Sequence, residues 1–531
     1  MIDIRPRRRL WLWISSTFIV VPLGFTALVY GLLSHSAATQ WADAQKHLAD
    51  SHHTLDFMAL VPPPVPDDQN FFATPPLKDI ARVINGDVGA GEPAVRRTHL
   101  AALGLDWRHS MISPPETGEG VDYGIEWDGA AWAGYFRDSK VLLLPASSGQ
   151  PGKDILQGLA SRQTLIAELN AGNNRAYAQS TPHWKDRPSP QLFSAVAIPY
   201  LNALSEMSRT MALHAQASVL CDEPAHAVDD VCTLLRLAEG VGYEPATLAS
   251  LVATNIVNAA TSPCWSILRK RSASEEGLVA LARCLDRIDI RAIVLTGLRG
   301  QMATDCEISD TTPVDLIKVW QMDHVLCSDL VVKQAVSDVD YLLLRLNPRG
   351  VGLGNKANFV NAAQTHFIEP IESKGLRGFL GSPAHTEDWE RLRKLTPGVF
   401  GLLARFELPF AHNVVERALR TAARLEQTRI ACALERWLIK HGSYPDQMGQ
   451  LVPEFLSRIP IDPIDDRPMR YRRSGERYQL WSLGIDGDDD GGLILPSRYD
   501  DPHQPRLKHF DYPGDWVWSY ERLVPEPDPA K

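Results

Sequence analysis

The chain has 531 residues, of which 44% are hydrophobic and 22% are charged, so it can form at least two folded units and is not intrinsically disordered. Asp and Glu total 64 against 54 Lys and Arg, and this acidic balance, without a long basic segment beyond the extreme N-terminus, argues against nucleic-acid binding. Seven scattered cysteines without a Cys-x-x-Cys motif exclude a disulfide-built small fold and the commonest zinc-site spacing.

Residues 10–34 are predicted to form a transmembrane helix, because Leu10 to Leu33 carry no charged side chain over a length sufficient to cross a bilayer. Four arginines lie within residues 1–9, the predicted cytoplasmic tail. The positive-inside rule then places everything after the span outside the cytoplasm. We therefore expect a single-pass protein of the inner (cytoplasmic) membrane with a periplasmic bulk. The small residues 34–38 leave a cleaved signal peptide as the alternative.

Residues 35–80 predict a helical stalk that ends in a Pro-rich linker, because apolar residues recur at helical intervals up to the prolines of 61–66. Residues 81–410 predict a mainly helical domain built of antiparallel hairpins. Ser272 and Glu275 have the spacing of a capping box, which predicts a further helix start. The Gly- and Asn-rich residues 346–385 predict a long loop. Three apolar stripes indicate the hairpin helices: Leu204, Met207, Met211, Ala215 and Val219; Val231, Leu234, Leu235, Ala238 and Val241; Leu248, Leu251, Val252, Ile256 and Ala259.

Residues 411–531 predict a small α+β module, so that the expected fold class is mainly α with a small antiparallel sheet. A long helix is predicted over 411–441, because apolar residues recur along one face and Gly442 and Pro445 follow it. Residues 468–473 and 477–483 alternate like the two strands of a hairpin. Trp516 and Trp518 are predicted to share one face of a further strand.

This C-terminal stretch resembles the globular end of the major pseudopilin of type II secretion systems. In that family a long helix leads through a Gly-x-Tyr-Pro turn into a small antiparallel sheet and an acidic, calcium-binding loop. The rest of the chain resembles uncharacterised bacterial membrane-anchored helical proteins. The matching segments are 433–437, 441–445, 451–456, 459–463 and 480–487.

One feature of the family's N-terminus is different here. Pseudopilins are processed at a glycine followed by Phe-Thr, before the apolar helix, and their fifth mature residue is a glutamate. In this chain Gly24-Phe25-Thr26 lies inside the apolar segment, and the fifth residue from Phe25 is Val29. We therefore expect that the chain carries the module without polymerising as a pilus subunit.

The acidic segment 486–491 is the candidate metal site. Asp486, Asp488 and Asp490 alternate ahead of Gly491, as in the first half of an EF-hand loop, where alternate oxygens converge on calcium. Ser497 stands where that loop has its glutamate, so a full EF-hand is excluded, and Asp500 or Asp501 are candidates to complete a looser site. The alternative is a solvated turn rich in turn-forming residues.

These patterns favour a structural, assembly-associated or secretion-associated protein with partners in the cell envelope. The alternative is a membrane-anchored extracytoplasmic enzyme of the hydrolase class, with a site near residues 100–150 that uses Asp106, His109, Glu126 and Asp128. No Gly-x-Ser-x-Gly, His-Glu-x-x-His or Walker A motif supports it. A set of arginines predicts an exposed charged helix face or, alternatively, a docking surface: Arg417, Arg420, Arg424 and Arg429.

Overall fold

The computed structural model describes residues 5–85, 115, 124–180, 191–309, 348–382, 398–493 and 514–521. As predicted, the chain is mainly helical and has a small three-stranded antiparallel sheet. The described α-helices are α1 (Arg5–Asp50), α2 (Phe57–Leu60), α3 (Pro75–Asn85), α4 (Gly129–Ser139), α5 (Pro151–Gly158), α6 (Gln163–Ala171), α7 (Gln191–Leu220), α8 (Pro224–Val241), α9 (Thr247–Lys270), α10 (Glu275–Asp286), α11 (Ile290–Ile308), α12 (Pro348–Ala363), α13 (Glu369–Lys374), α14 (Arg377–Leu380) and α15 (Leu402–His441).

The chain divides into two compact units, each assembled from separate segments. The first unit is formed by Met1–Asp56, Met302–Phe367 and Glu387–Phe410. The second is formed by Phe57–Gln301, Ile368–Thr386 and Ala411–Lys531. The five consecutive segments expected from the sequence stay a prediction.

The predicted membrane span, residues 10–34, falls within α1, and most of its side chains lie outside the described residues. Among the residues that the structure does describe, no helix combines the length and the apolar character needed to cross a bilayer. The span therefore stays a prediction.

In the first unit, α12 packs against α1, with the Lys356 ammonium 4.6 Å from the centre of the Trp41 ring. The prediction of a loop over 346–385 is therefore wrong for its described part. The glycines that suggested flexibility allow close packing instead, because a Cβ atom on Gly354 would lie 2.4 Å from the Phe400 ring. A π-helical turn, Gln364–Ile368, continues α12.

In the second unit, α7, α8 and α9 pack against one another, and α10 packs against α8. The three predicted stripes lie on α7, α8 and α9 and are largely buried, which confirms these helices. The start of α10 is capped by Ser274, whose hydroxyl accepts a hydrogen bond from Gly277 N at 3.2 Å. The predicted cap, Ser272, lies two residues before the observed one. The N-cap is the residue directly before the helix, from which a side-chain oxygen can reach the unpaired N–H groups of the first turn, and here that residue is Ser274.

A buried polar network joins α6, α7 and α8. Asp230 is fully buried, and its two carboxylate oxygens contact His214 Nδ1 at 2.5 Å and Asn170 Nδ2 at 2.9 Å. The Thr233 hydroxyl donates to Asn170 Oδ1 at 2.5 Å. Each of these polar groups has a partner inside the core, so the network holds three helices in one register.

The sheet has the order β1 (Arg470–Ser474), β2 (Arg477–Ser482), β3 (Trp516–Ser519), with antiparallel pairing throughout. Tyr471 pairs with Leu480, and Leu480 pairs with Trp518. The predicted hairpin is confirmed, and Trp516 and Trp518 lie on a buried strand. The Trp265 indole donates to Ser519 O at 3.1 Å, which connects α9 to the sheet.

Helix α15 ends at His441, as predicted, but begins at Leu402 rather than near 411. Its arginines are half-buried, so the prediction of an exposed charged face is wrong. The reason is that α15 is packed on several sides. The Arg429 guanidinium donates to Leu285 O at 2.7 Å and Ile288 O at 2.9 Å, next to the C-terminus of α10.

A buried carboxyl group connects α15 to the sheet. Glu435 Oε1 accepts hydrogen bonds from the hydroxyls of Tyr444 at 2.8 Å and Tyr520 at 3.2 Å, while Arg271 Nε lies 3.6 Å from Oε2. The Tyr478 hydroxyl donates in turn to that of Tyr520 at 2.9 Å. Burial raises the pKa of Glu435 to about 7, although the hydrogen bond from Tyr444 favours the charged form.

Candidate functional site

The acidic loop, residues 483–493, leaves the end of β2, and Gly514 and Asp515 return the chain into β3. The two segments meet closely at Gly484, which has a φ of +72°. A Cβ atom there would lie 2.3 Å from Gly514 O, so only glycine fits. The loop and the start of β3 therefore form one site, although a long stretch of sequence separates them.

Two of the loop carboxylates are hydrogen-bonded to the loop's own structure. Asp486 accepts from Gly514 N at 2.9 Å and from Asp488 N at 3.4 Å. Asp489 Oδ1 accepts from the Trp481 indole at 2.9 Å and from Gly491 N at 3.0 Å. The indole hydrogen bond holds the pKa of Asp489 below its usual value. Asp489 is thus a structural anchor of the turn.

Two other carboxylates, those of Asp490 and Asp515, have oxygens without partners. Asp515 is 3% exposed, and its Oδ2 accepts from Gly492 N at 2.6 Å, whereas its Oδ1 is buried without a hydrogen-bond donor. The Oδ2 of Asp490 is also buried without one. Burial and, to a smaller extent, the charges of Asp489, Asp490 and Asp486 raise the pKa of Asp515 to about 6, although the hydrogen bond from Gly492 N lowers it. A cation is the kind of partner that would relieve this repulsion.

The structure therefore brings Asp486 and Asp490 of the predicted set close to Asp515, and both Asp486 and Asp488 are exposed. In the described part of the chain, no three Asp, Glu, His or Cys side chains are arranged to hold a metal ion as they stand. Asp500 and Asp501 lie outside the described residues. The unpartnered oxygens of Asp490 and Asp515 are of the type that hard cations take as ligands.

Reasoning from the sequence missed Asp515, because it lies far along the chain from the acidic segment. Its only local signal is an acidic residue directly before the tryptophans of β3. Its proximity to the loop arises from the antiparallel pairing of β2 with β3, in which Ser482 faces Trp516. The residue after Ser482 and the residue before Trp516, which is Asp515, therefore lie side by side in space.

A cleft of about 240 Å³ borders this site, since Ile485 and Trp516 line it directly beside Asp486 and Asp515. The opposite side of the cleft is formed by α15 and by two asparagine side chains of α9. The Arg424 guanidinium donates to Asn258 Oδ1 at 3.3 Å, and burial lowers the pKa of Arg424 to about 10. The other lining residues are Asn255, Glu416, Arg417 and Arg420. The second unit thus places cationic groups close to the acidic loop.

Of the four residues of the enzymatic alternative, the structure describes two, Glu126 and Asp128. The Asp128 carboxylate caps α4 by accepting from Ala130 N and Ala131 N at 2.9 and 3.0 Å. Glu126 forms an ion pair of 2.7 Å with Arg269. Asp106 and His109 lie outside the described residues. Both described carboxylates therefore have structural partners.

Comparisons of the chain with protein-family models, with curated proteins and with solved structures gave no match. The geometry of the acidic loop is therefore the basis for a functional proposal.

Proposed function

We propose that this protein is a single-pass protein of the cell envelope whose C-terminal α+β module binds calcium and serves protein–protein assembly, in a structural or secretion-associated role. The membrane part of the proposal is supported by the uncharged segment 10–33 and the arginines before it. The assembly part is supported by the resemblance of residues 433–487 to a pseudopilin module.

The observation that carries the calcium part is the buried Asp515 carboxylate, whose Oδ1 has no donor and whose neighbours are the acids of the loop. Calcium takes six to eight oxygen ligands and accepts backbone carbonyls and water beside carboxylates. Asp490 and Asp515 would supply the buried oxygens, and Asp486 and Asp488 the exposed ones. The ion would offset part of the loop's negative charge and hold the loop against the start of β3.

Calcium is expected to raise the melting temperature of the full chain, purified in detergent, relative to the same protein in chelator. Binding to the folded state alone stabilises by about 2.7 kcal/mol at a hundredfold excess over Kd. Asp515→Asn should abolish this increment and raise the melting temperature in chelator, because it removes a buried charge but keeps an acceptor for Gly492 N. Differential scanning fluorimetry with calcium, magnesium and chelator measures these effects.

The matched control for this experiment is Asp138→Asn, which changes an exposed carboxylate on α4. The control should keep the full calcium increment. Identical melting curves of the unmutated protein in calcium and in chelator would leave the acidic loop as a solvated turn.

Topology is tested separately from calcium. A reporter that is active only outside the cytoplasm should be active when fused after residue 60 and inactive when fused before Met1. The chain should stay in the membrane fraction after a carbonate wash, because a helix over 10–34 would be buried in lipid. Release of a soluble chain that lacks residues 1–36 would support the signal peptide instead.

A further inference from the structure

The cleft of about 240 Å³ beside the acidic loop collects arginines from one face of α15. Arg417, Arg420 and Arg424 line it. Residues three and four positions apart lie on the same face of an α-helix, so this row of arginines extends over about 10 Å of α15. Glu416 is the one carboxylate among the described lining residues, and its Oε1 lies 3.0 Å from His412 Nε2. The described lining residues thus carry three formal positive charges and one negative charge.

Two of these arginines are held in place by neighbouring elements of the second unit. The Arg424 guanidinium donates to Asn258 Oδ1 at 3.3 Å, and Asn258 Nδ2 donates in turn to Thr421 Oγ1 at 2.8 Å. The centre of the Arg420 guanidinium lies 5.9 Å from the centre of the Trp516 ring, so β3 supports it. Groups that are already positioned lose little conformational entropy when a ligand binds. The cleft is therefore a preformed arrangement of cationic groups.

The three guanidinium groups are also partly withdrawn from water. Each of these arginines is half-buried. Burial lowers the pKa of Arg417, and it lowers the pKa of Arg424 to about 10. Both groups stay charged at neutral pH, but the surroundings disfavour their charge relative to water. A negatively charged ligand in the cleft would offset part of this cost.

We propose that this cleft binds a small anion that carries two or more phosphate or carboxylate groups. The planar guanidinium group matches the paired oxygens of both kinds of group. The cleft holds the volume of about eight water molecules, which is below the roughly 300 Å³ at which pockets for drug-sized ligands begin. A row of arginines over two helical turns favours more than one anionic group. Asn255, which is exposed, adds an amide to the lining.

The test is isothermal titration calorimetry of the full chain, purified in detergent. The buffer is freed of metal ions with a chelating resin, so that calcium binding plays no part in the result. Pyrophosphate and citrate are the probes, and comparing them distinguishes a phosphate ligand from a carboxylate ligand. We expect saturable binding of at least one probe, with one site per chain. Added sodium chloride should weaken it, because salt screens the attraction between the anion and the arginines.

Arg417→Gln is expected to raise the Kd of the bound probe about tenfold, because the variant loses one charge and one planar fork of donors. Arg417→Lys keeps the charge but not the fork, so its Kd should lie between those of the unmutated chain and Arg417→Gln. The matched control is Arg283→Gln, which changes an exposed arginine on α10 that is not among the lining residues. The control should keep the Kd within about twofold.

Labelling of the unmutated chain with phenylglyoxal, which modifies arginine side chains, locates the site without any variant. Bound anion should reduce the labelling of Arg417 severalfold, measured by peptide mass spectrometry, and leave that of Arg283 unchanged. The proposal would be overturned by the absence of saturable binding of both probes, by equal weakening in Arg417→Gln and Arg283→Gln, or by equal labelling of Arg417 with and without anion. None of these results would bear on calcium, because metal ions are absent.

Discussion

Replacing Asp230 with alanine is expected to lower the free energy of unfolding by about 3–5 kcal/mol. The variant leaves His214, which is 4% exposed, and the Asn170 amide without the carboxylate that both contact. Buried polar groups that lose their partners cannot regain water without opening the contact between α6, α7 and α8. Urea unfolding followed by circular dichroism should show a lower midpoint with an unchanged slope.

The neighbouring residue is the matched control for this prediction. Asp229 is exposed, and the hydrogen bond that it accepts from Asn173 Nδ2 is made by its backbone carbonyl. Asp229→Ala should therefore change stability by less than about 0.5 kcal/mol. The double variant His214→Ala, Asp230→Ala should cost less than the sum of the single variants. Equal effects of Asp229→Ala and Asp230→Ala would contradict the role given to the buried network.

Replacing Glu435 with glutamine is expected to change how stability depends on pH. Burial raises the pKa of this carboxyl from 4.5 to about 7. Between these values the folded protein binds more protons than the unfolded chain, so the contribution of Glu435 to stability falls as pH rises through that window. The shift corresponds to about 3 kcal/mol. Relative to the unmutated protein, Glu435→Gln should gain up to this amount between pH 4.5 and pH 8.

The measurement is the difference in unfolding free energy between the two proteins at each pH, because other titrating groups cancel in that difference. Glutamine keeps an oxygen that can accept from Tyr444 and Tyr520. The control, Glu476→Gln, changes an exposed carboxylate in the turn between β1 and β2 and should show a constant difference. A constant difference for Glu435→Gln as well would show that Glu435 titrates normally.

The elements predicted correctly from the sequence are those that are determined by residues close to one another along the chain. The hairpin β1–β2 alternates along each strand, and α15 ends where Gly442 follows with a φ of +76°. Helix α12 could not be predicted in this way, because its glycines lower helix propensity and its stability comes from packing. Gly354 is tolerated in that helix because its missing Cβ leaves room for the Phe400 ring.

The candidate site shows the same limit. The acidic segment was visible as a run of aspartates, but whether its oxygens have partners depends on residues brought together by the sheet. Asp515 reaches the loop through the pairing of β2 with β3, and Asp489 is occupied by the Trp481 indole. Likewise, the sequence shows that α15 carries a series of arginines, but it does not show that they are half-buried. Their burial results from contacts of α15 with α9 and α10.

The order of the sheet has a consequence for how this protein avoids unwanted self-association. Among the described strands, β1 pairs only with β2, so one of its edges carries backbone groups that could template a strand from another molecule. Two arginines of β1 form ion pairs: Arg470 pairs with Asp462 and Asp465, and Arg473 pairs with Asp446. A hydrophobic strand that approached it would have to displace or desolvate these ion pairs. We therefore expect that copies of the protein meet through side-chain surfaces rather than by extending one another's sheets, which keeps the module out of cross-β aggregates.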